Sequence, residues 1–415
     1  MNKKKIAMIS LHTCPLASQE GKETGGINVY VLELSKELAN LGYKIDIFTR
    51  SQSSKQPKVV RVSQSIRVIH LRCGPEKYIS KKKLSQYVNE FVKSFYSFVN
   101  NKDFPYSVIH CHYYLSGLAG LIIKENSKTN IPLLMTFHTL AFMKNLVARD
   151  ELEREEKERI DAEVLLVKKS DKIIASSEND KLYLKYLYNC PEEKLTVVNP
   201  GVNTEVFKPI DKTTAKKYIK ADSEHKIILF VGRIEPLKGI DSILYAMKIL
   251  LERDPELKVC LWIVGGDVSQ RPHLWSKELQ KLEKLRKLLN ITAQVKFVGQ
   301  RPQKDLPFYY NASELVVMPS HYESFGMAAL EAMACAVPVI TTSVAGISTL
   351  FDKKHESLIT TANNPLLLAS QIDFYLTNNK ALEKVSKDVL EKVQDFKWSN
   401  IADEINNIYK ELINR

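Results

Sequence analysis

Short β-branched runs alternate with helix-length amphipathic stretches along this chain, and the alternation runs through twice. In the first half, strands are expected at Ile6–Leu11, Ile45–Thr49, Val68–Leu71, Val108–His110, Leu133–Phe137, Lys172–Ala175 and Leu195–Val198. Between them the 3.6-residue pattern predicts helices over Asn28–Leu41, Lys81–Asn100, Tyr114–Asn126 and Glu151–Ser170. The pattern stops near Asn199-Pro200-Gly201 and restarts with strands at Lys226–Val231, Val259–Val264, Val295–Val298, Leu315–Met318 and Val339–Thr342. Strand–helix alternation of this kind specifies a parallel sheet covered by helices on both faces. Two such runs imply two α/β domains, the first over residues 1–205 and the second over 206–395. The segment from Pro365 to Arg415 reads as helical, with 396–415 a C-terminal helix that could cross back to the first domain. A ligand is expected in the cleft between the two, outside the carboxyl ends of the strands.

Composition narrows the class. Of 415 residues, 44% are hydrophobic and 26% charged, the balance of a folded globular chain. Apolar runs such as Ile227–Val231 and Leu261–Val264 are strand-length and far short of a membrane span. The opening Met-Asn-Lys-Lys-Lys precedes an apolar run too short for a signal peptide, so Ile6–Leu11 is read as a buried first strand. The six cysteines (Cys14, Cys73, Cys111, Cys190, Cys260, Cys335) are scattered, with no C-x-x-C spacing. A cytoplasmic protein with reduced thiols and no structural zinc is expected.

The charge is uneven. Net charge is +12, and residues 1–150 alone hold 22 Lys+Arg against 10 Asp+Glu. The excess is densest in residues 51–100, with ten basic and two acidic side chains. Such a surplus suits an anionic partner, whether a phosphorylated small molecule or an anionic membrane face, or serves solubility alone. No motif that reads RNA or DNA is present, so nucleic acid is not expected. The stripe Tyr87, Phe91, Phe95 and Phe98 after Lys81-Lys82-Lys83 could touch a membrane, but the favoured reading packs it on the sheet.

Three segments carry candidate chemistry. In Gly232-Arg233-Ile234-Glu235-Pro236-Leu237-Lys238-Gly239, a buried strand runs into two cations five residues apart and then a helix start. A helix N-terminus with Arg and Lys beside it suits a diphosphate, although a loop with solvated charges reads the same way. In Glu323-Ser324-Phe325-Gly326-Met327-Ala328-Ala329-Leu330-Glu331, loop amides could donate to sugar hydroxyls while Glu331 accepts from a vicinal diol. Gly25-Gly26 allows a backbone to approach a ligand closely, or simply makes a tight turn. His110, His112 and His138 end strands; such histidines are usually structural, and without nearby carboxylates no metal is expected.

Taken in order, these segments resemble the retaining nucleotide-sugar glycosyltransferases of family 4, with the GT-B fold of two Rossmann-like domains facing across a cleft. The resemblance spans nearly the whole chain and includes Gly25–Val31, His112–Gly117, Phe137–Leu140, Pro200–Asn203, the Arg233–Gly239 loop and Glu323–Glu331. It implies that Arg233 and Lys238 hold the donor diphosphate and stabilise the departing charge. It implies that Glu331 binds the ribose, and that Glu323 with the amides of Phe325, Gly326 and Met327 holds the donor sugar. Gly25 and Gly26 would approach the donor phosphate and the acceptor, and His138 would sit beside the transferred sugar. No cofactor is implied beyond the nucleoside-diphosphate sugar as co-substrate. Within the family, Arg72–Ile79 echoes the sucrose-phosphate synthases, while His138-Thr139-Leu140, Lys144-Asn145 and Arg159-Ile160 echo the inositol-phosphate N-acetylglucosaminyltransferases. Lys81, Tyr113, Thr139 and Arg159 would by that pattern receive an acceptor phosphate. The leading expectation is hexosyl transfer from UDP-glucose or a similar donor to a phosphorylated sugar, in the manner of a sucrose-phosphate synthase. The alternatives are an inositol-phosphate acceptor and a lipid-linked acceptor at a membrane surface.

Overall fold

The computed structural model describes residues 4–16, 25–99, 104–151, 153–344, 346–351 and 353–414. The chain divides into two compact units, Met1–Pro200 with Trp398–Arg415, and Gly201–Lys397. Each is a Rossmann-like α/β layer structure built on its own sheet, as the alternation predicts.

The first unit holds an eight-stranded sheet: β1 (Lys5–Ile9), β2 (Lys44–Arg50), β3 (Val59–Arg61), β4 (Ile66–Leu71), β5 (Val108–His112), β6 (Leu133–Thr136), β7 (Lys172–Ala175) and β8 (Leu195–Val197). Their order is β3-β4-β2-β1-β5-β6-β7-β8, parallel except for β3, which pairs antiparallel with β4. Because helices cover both faces, the central strands are apolar without alternation, and Ile6–Ile9 are wholly buried. Strand order reverses at β1, whose neighbours are β2 on one side and β5 on the other. The loops leaving β1 and β5 therefore diverge and open a crevice at their carboxyl ends.

The aromatic stripe packs inward, as favoured. Phe91 and Phe95 are fully buried, and the Phe95 ring lies edge-on to Phe48 of β2 at 4.6 Å. The predicted helix Lys81–Asn100 is interrupted by a 3₁₀ turn at Ser85–Tyr87. The last helix, Trp398–Ile413, belongs to the first unit. Its buried face lies on the helix Gly26–Asn40 and reaches β5: Tyr409 stacks edge-on to Tyr43, and its hydroxyl meets His110 Nδ1 at 2.8 Å.

The second unit holds β9 (Lys226–Val231), β10 (Val259–Val264), β11 (Val295–Gly299), β12 (Leu315–Met318), β13 (Val339–Thr342) and β14 (Ile359–Thr360). Their order is β11-β10-β9-β12-β13-β14, all parallel. The reversal falls at β9, between β10 and β12. Residues 232–239 leave β9 and residues 319–326 leave β12, so both candidate donor segments emerge at this switch point. The helical tail is three helices, Pro365–Thr377, Asn379–Lys392 and Trp398–Ile413, broken at Asn378 and near Lys397.

Candidate functional site

In the second unit the chain leaves β9 through Gly232, makes a 3₁₀ turn at Pro236–Lys238 and enters the helix Ile240–Arg253. Gly239 caps that helix with φ +63° and brings no side-chain cap to it. The turn is tied to the loop after β12, where His321 N–H donates to Leu237 C=O at 2.8 Å. Lys238 is buried, and its ammonium donates to Glu323. An ammonium has three donors, so the carboxylate orients Lys238 without exhausting it. Arg233, by contrast, is 46% exposed and pairs with Glu235 at 2.7 Å.

The loop after β12 ends at Gly326, whose φ of +110° turns the chain into the helix Met327–Ala334, again with no side-chain cap. Unpaired amides at such a helix start carry partial positive charge. Residues 323–325 are held by backbone bonds: Glu323 C=O accepts from Gly346 N–H at 3.1 Å, and Phe325 C=O accepts from Ile347 N–H at 2.8 Å. Phe325 itself is buried and contributes packing. Glu331 lies on the second turn of the helix and accepts from the Tyr310 hydroxyl at 2.8 Å. Burial pushes the Glu331 carboxyl up to about 7, against the opposing effect of that bond.

In the first unit, Gly25 is extended and has open space among the described residues where a Cβ would stand. Among the described residues, therefore, nothing imposes a glycine there. Gly26 opens the helix Gly26–Asn40 and is exposed. Asn28 fixes this helix start to the β1 loop, accepting from Thr13 Oγ1 at 2.7 Å and donating to Cys14 C=O at 2.8 Å.

Just past the ends of β5 and β6 stand two residues with positive φ, Tyr113 (φ +74°) and His138 (φ +63°). For residues with a Cβ such sparsely populated backbone costs about 1–3 kcal/mol each, and such strain concentrates at functional sites. The surroundings hold both. Tyr113 N–H donates to Thr136 C=O at 2.9 Å. Arg159 Nη2 donates to the carbonyl and the hydroxyl of Thr139, at 3.0 and 3.1 Å. Arg159 is itself clamped by Glu163 and Glu155, each at 2.8 Å. Its guanidinium lies 5.0 Å from the Tyr113 ring centroid, and Lys81 Nζ lies 5.9 Å from the same ring. The fold thus gathers Lys81, Tyr113, Thr139 and Arg159 into one cluster.

Several partners are not readable from one sequence. Tyr310 reaches Glu331 from another helix, and Glu163 holds Arg159, the Tyr188 hydroxyl and the Ala141 amide together. His112 Nδ1 lies 3.0 Å from His138 Nε2. His110 is structural, with Nδ1 on Tyr409 and Nε2 on Thr136 Oγ1. Among the described residues no group of three or more His, Cys, Asp or Glu side chains is placed to hold a metal ion. Nor is any helix long and apolar enough to cross a membrane.

Each unit is doubly wound, and in the second the segments that bear Arg233, Lys238 and Glu323 leave the strands at the switch point, where folds of this kind take their ligands. Comparison with known proteins agrees on both halves: residues 24–206 match the model of glycosyltransferase family 4, and residues 211–391 that of glycosyl transferases group 1. The chain is 31% identical to a D-inositol 3-phosphate glycosyltransferase of Corynebacterium efficiens, over 98% of this chain and 95% of the relative. A protein of the same description from Thermobispora bispora is 33% identical over 99% and 95%. Among solved structures, sucrose-phosphate synthase from Thermosynechococcus elongatus superimposes with a TM-score of 0.89 at 30% identity, covering 99% of this chain and all of that one. The chain belongs to glycosyltransferase family 4 and has the GT-B fold; it is an enzyme that transfers a glycosyl group from a nucleotide sugar.

Proposed function

We propose that this enzyme transfers a hexosyl group, with retention, from a nucleoside-diphosphate sugar to an inositol phosphate. The observation that carries the acceptor class is the cluster of Lys81, Tyr113, Thr139 and Arg159 beside two strained strand ends. The curated relatives favour the polyol phosphate over the sugar phosphate that the sequence reading put first. A sugar-phosphate acceptor is the second reading, supported by the TM-score of 0.89 to sucrose-phosphate synthase.

In this reading Arg159 is mainly a scaffold. Its Nε and Nη1 face carboxylates and its Nη2 holds Thr139, so little of its fork remains for a ligand. Lys81 and the Thr139 hydroxyl would meet the acceptor phosphate. The test is nucleotide release with inositol 3-phosphate, free inositol and fructose 6-phosphate as acceptors. The inositol phosphate is expected to exceed free inositol in kcat/KM by roughly 100-fold, as for one or two charge-assisted bonds. Lys81→Ala should remove much of that preference. Equal use of free and phosphorylated inositol would refute the acceptor assignment.

On the donor side, Lys238 and Arg233 would hold the diphosphate, with the leaving oxygen's charge stabilised by these fixed cations and by helix amides, and no metal cofactor required. Glu323 would orient Lys238 and, with the amides of Phe325, Gly326 and Met327, bind the sugar. Gly25 and Gly26 would face the phosphate, and His138 the transferred sugar. Glu331 would accept from the ribose diol as a carboxylate.

That last role has a pH signature. The folded-state value of about 7 lies above the ordinary 4.5, so below 7 the free enzyme holds a proton there that ribose binding must displace. Affinity for the nucleoside diphosphate should therefore weaken as pH falls through 7, by up to about tenfold per unit. Glu331→Gln should bind weakly and without this dependence; calorimetric titration between pH 6 and 8 decides. The stability effect has the opposite sense: the raised value makes folding favour the protonated form, a contribution present below 4.5 and lost as pH rises toward 7.

A further inference from the structure

His112 has no role of its own in the proposed chemistry, yet among the described residues it makes the one hydrogen bond to the ring of His138, which that chemistry places beside the sugar. His112 Nδ1 and His138 Nε2 are 3.0 Å apart, and the rings are stacked with centroids 5.2 Å apart. Two imidazole nitrogens can bond only if one carries the proton. Burial lowers both rings below the ordinary histidine value, His138 to about 3, so each is neutral and has one N–H to place.

The other nitrogen of His112 decides where. His112 is wholly buried, and its Nε2 has no hydrogen-bond partner among the described residues. His110, 4.3 Å away, cannot supply one, since both of its nitrogens are engaged by Tyr409 and Thr136. If the shared proton belonged to His138, the His112 proton would sit on Nε2 as a buried donor with no acceptor. If it belongs to His112 Nδ1, Nε2 is only an unused lone pair. Buried orphan N–H groups are the rarer case, and leaving a donor unpaired costs about 1–3 kcal/mol.

We infer that His112 is a positioning residue: it donates from Nδ1 to His138 Nε2 and thereby fixes the His138 proton on Nδ1, making that nitrogen a hydrogen-bond donor to a hydroxyl of the transferred sugar. The His138 ring is further oriented by Tyr30, edge-on at 4.9 Å, and by the backbone turn that Arg159 holds at Thr139. His138 then acts as a fixed dipole rather than as a proton carrier. The sugar-hydroxyl part of this inference rests on the proposed placement of His138 beside the donor sugar; the proton assignment does not.

The full-length protein labelled with 15N-histidine gives a direct reading. Long-range 1H–15N spectra distinguish the two neutral tautomers of each of the nine histidines, and His138→Asn and His112→Leu assign the pair. Both rings are expected with the proton on Nδ1. A proton on His138 Nε2 overturns the inference and leaves the glycosyltransferase reading untouched, because no substrate is present. In turnover, His112→Leu should lower kcat roughly tenfold to a hundredfold, with a smaller effect on nucleotide affinity. His112→Asn, whose amide N–H stands near the Nδ1 position, should restore most of it. The His112→Leu penalty should shrink on the deoxy-sugar donor that lacks the hydroxyl bound by His138. Full activity of a folded His112→Leu enzyme, or an equal penalty on every deoxy donor, also overturns it. If His112→Leu does not fold, the wild-type spectrum still decides.

Discussion

Arg233→Ala lowers turnover by roughly 10²- to 10³-fold, the usual consequence of removing one fixed donor aimed at developing negative charge, and leaves thermal stability nearly unchanged. The two halves of that expectation have separate causes. Arg233 is 46% exposed, and its ion pair to Glu235 is a surface pair of the kind worth about 0–1 kcal/mol. Folding therefore has little stake in it. Its position after β9, two residues beyond the strand end, gives it a stake in whatever binds at the switch point. Lys238→Ala is expected to match the loss of turnover but to show a lower melting temperature as well. Its side chain is 11% exposed against 18% for Glu323, and removing it leaves that carboxylate half-buried and unpaired. Glu323→Gln separates the effects: it keeps the Lys238 charge and loses its orientation, so turnover should fall less than in Lys238→Ala. Steady-state kinetics on the three variants, each with a thermal melt, checks the set. Near-normal turnover in both Arg233→Ala and Lys238→Ala would remove the assignment of the diphosphate site.

Much of the fold is legible because burial on both faces of a parallel sheet writes continuous apolar runs. Lys226–Val231, Val259–Val264 and Leu315–Met318 appear in the structure at the predicted bounds. The strands the pattern misses are the ones without such runs. β3 is three residues at a sheet edge, with Val59 and Arg61 exposed, and β14 is two residues. Helix ends fail where charge replaces periodicity: the predicted Glu151–Ser170 helix begins only at Lys157, because the acidic stretch before it has no apolar face to bury. The helices Ala141–Leu146 and Glu178–Leu187 escape notice for a related reason, each burying only a few side chains.

The site divides in the same way. Local segments such as 232–239 and 323–331 are visible because strand end, glycine, charge and helix start are contiguous. Pairings across elements are not. His112 meets His138 because β5 and β6 pair with His112 opposite Thr136, which puts the next strand-end histidine two residues beyond. Tyr310 meets Glu331 because two helices flank β12. Neither register is written in the spacing of the residues concerned. The electrostatic consequences follow from those pairings, so they too become readable only once the fold is known.

Gly239→Ala should be among the most damaging single-methyl changes in the second unit. A Cβ at this position would stand 2.2 Å from the carbonyl oxygen of Pro319 and 3.1 Å from its carbon, and both are backbone atoms. The loops cannot part easily, because His321 N–H is bonded to Leu237 C=O beside the contact. The left-handed φ of +63° adds about 1–2 kcal/mol for any residue with a Cβ. With the clash, a total near 3–4 kcal/mol is expected, which for a unit of this size lowers the melting temperature by roughly 10 °C. Gly42 gives the comparison: its φ is +96°, but among the described residues nothing lies within 4 Å of the added carbon, so Gly42→Ala should show the strain alone. The larger consequence is local. Gly239 stands between Lys238 and the first amides of the Ile240–Arg253 helix. Forcing it from Pro319 displaces both groups proposed to meet the diphosphate, so nucleotide affinity should fall at temperatures where the variant is still folded. Calorimetric titration of the nucleoside diphosphate at 15 °C, with the melt measured on the same sample, reads both effects. A Gly239→Ala enzyme with wild-type affinity would mean that the close approach of these two backbones serves packing and not the ligand.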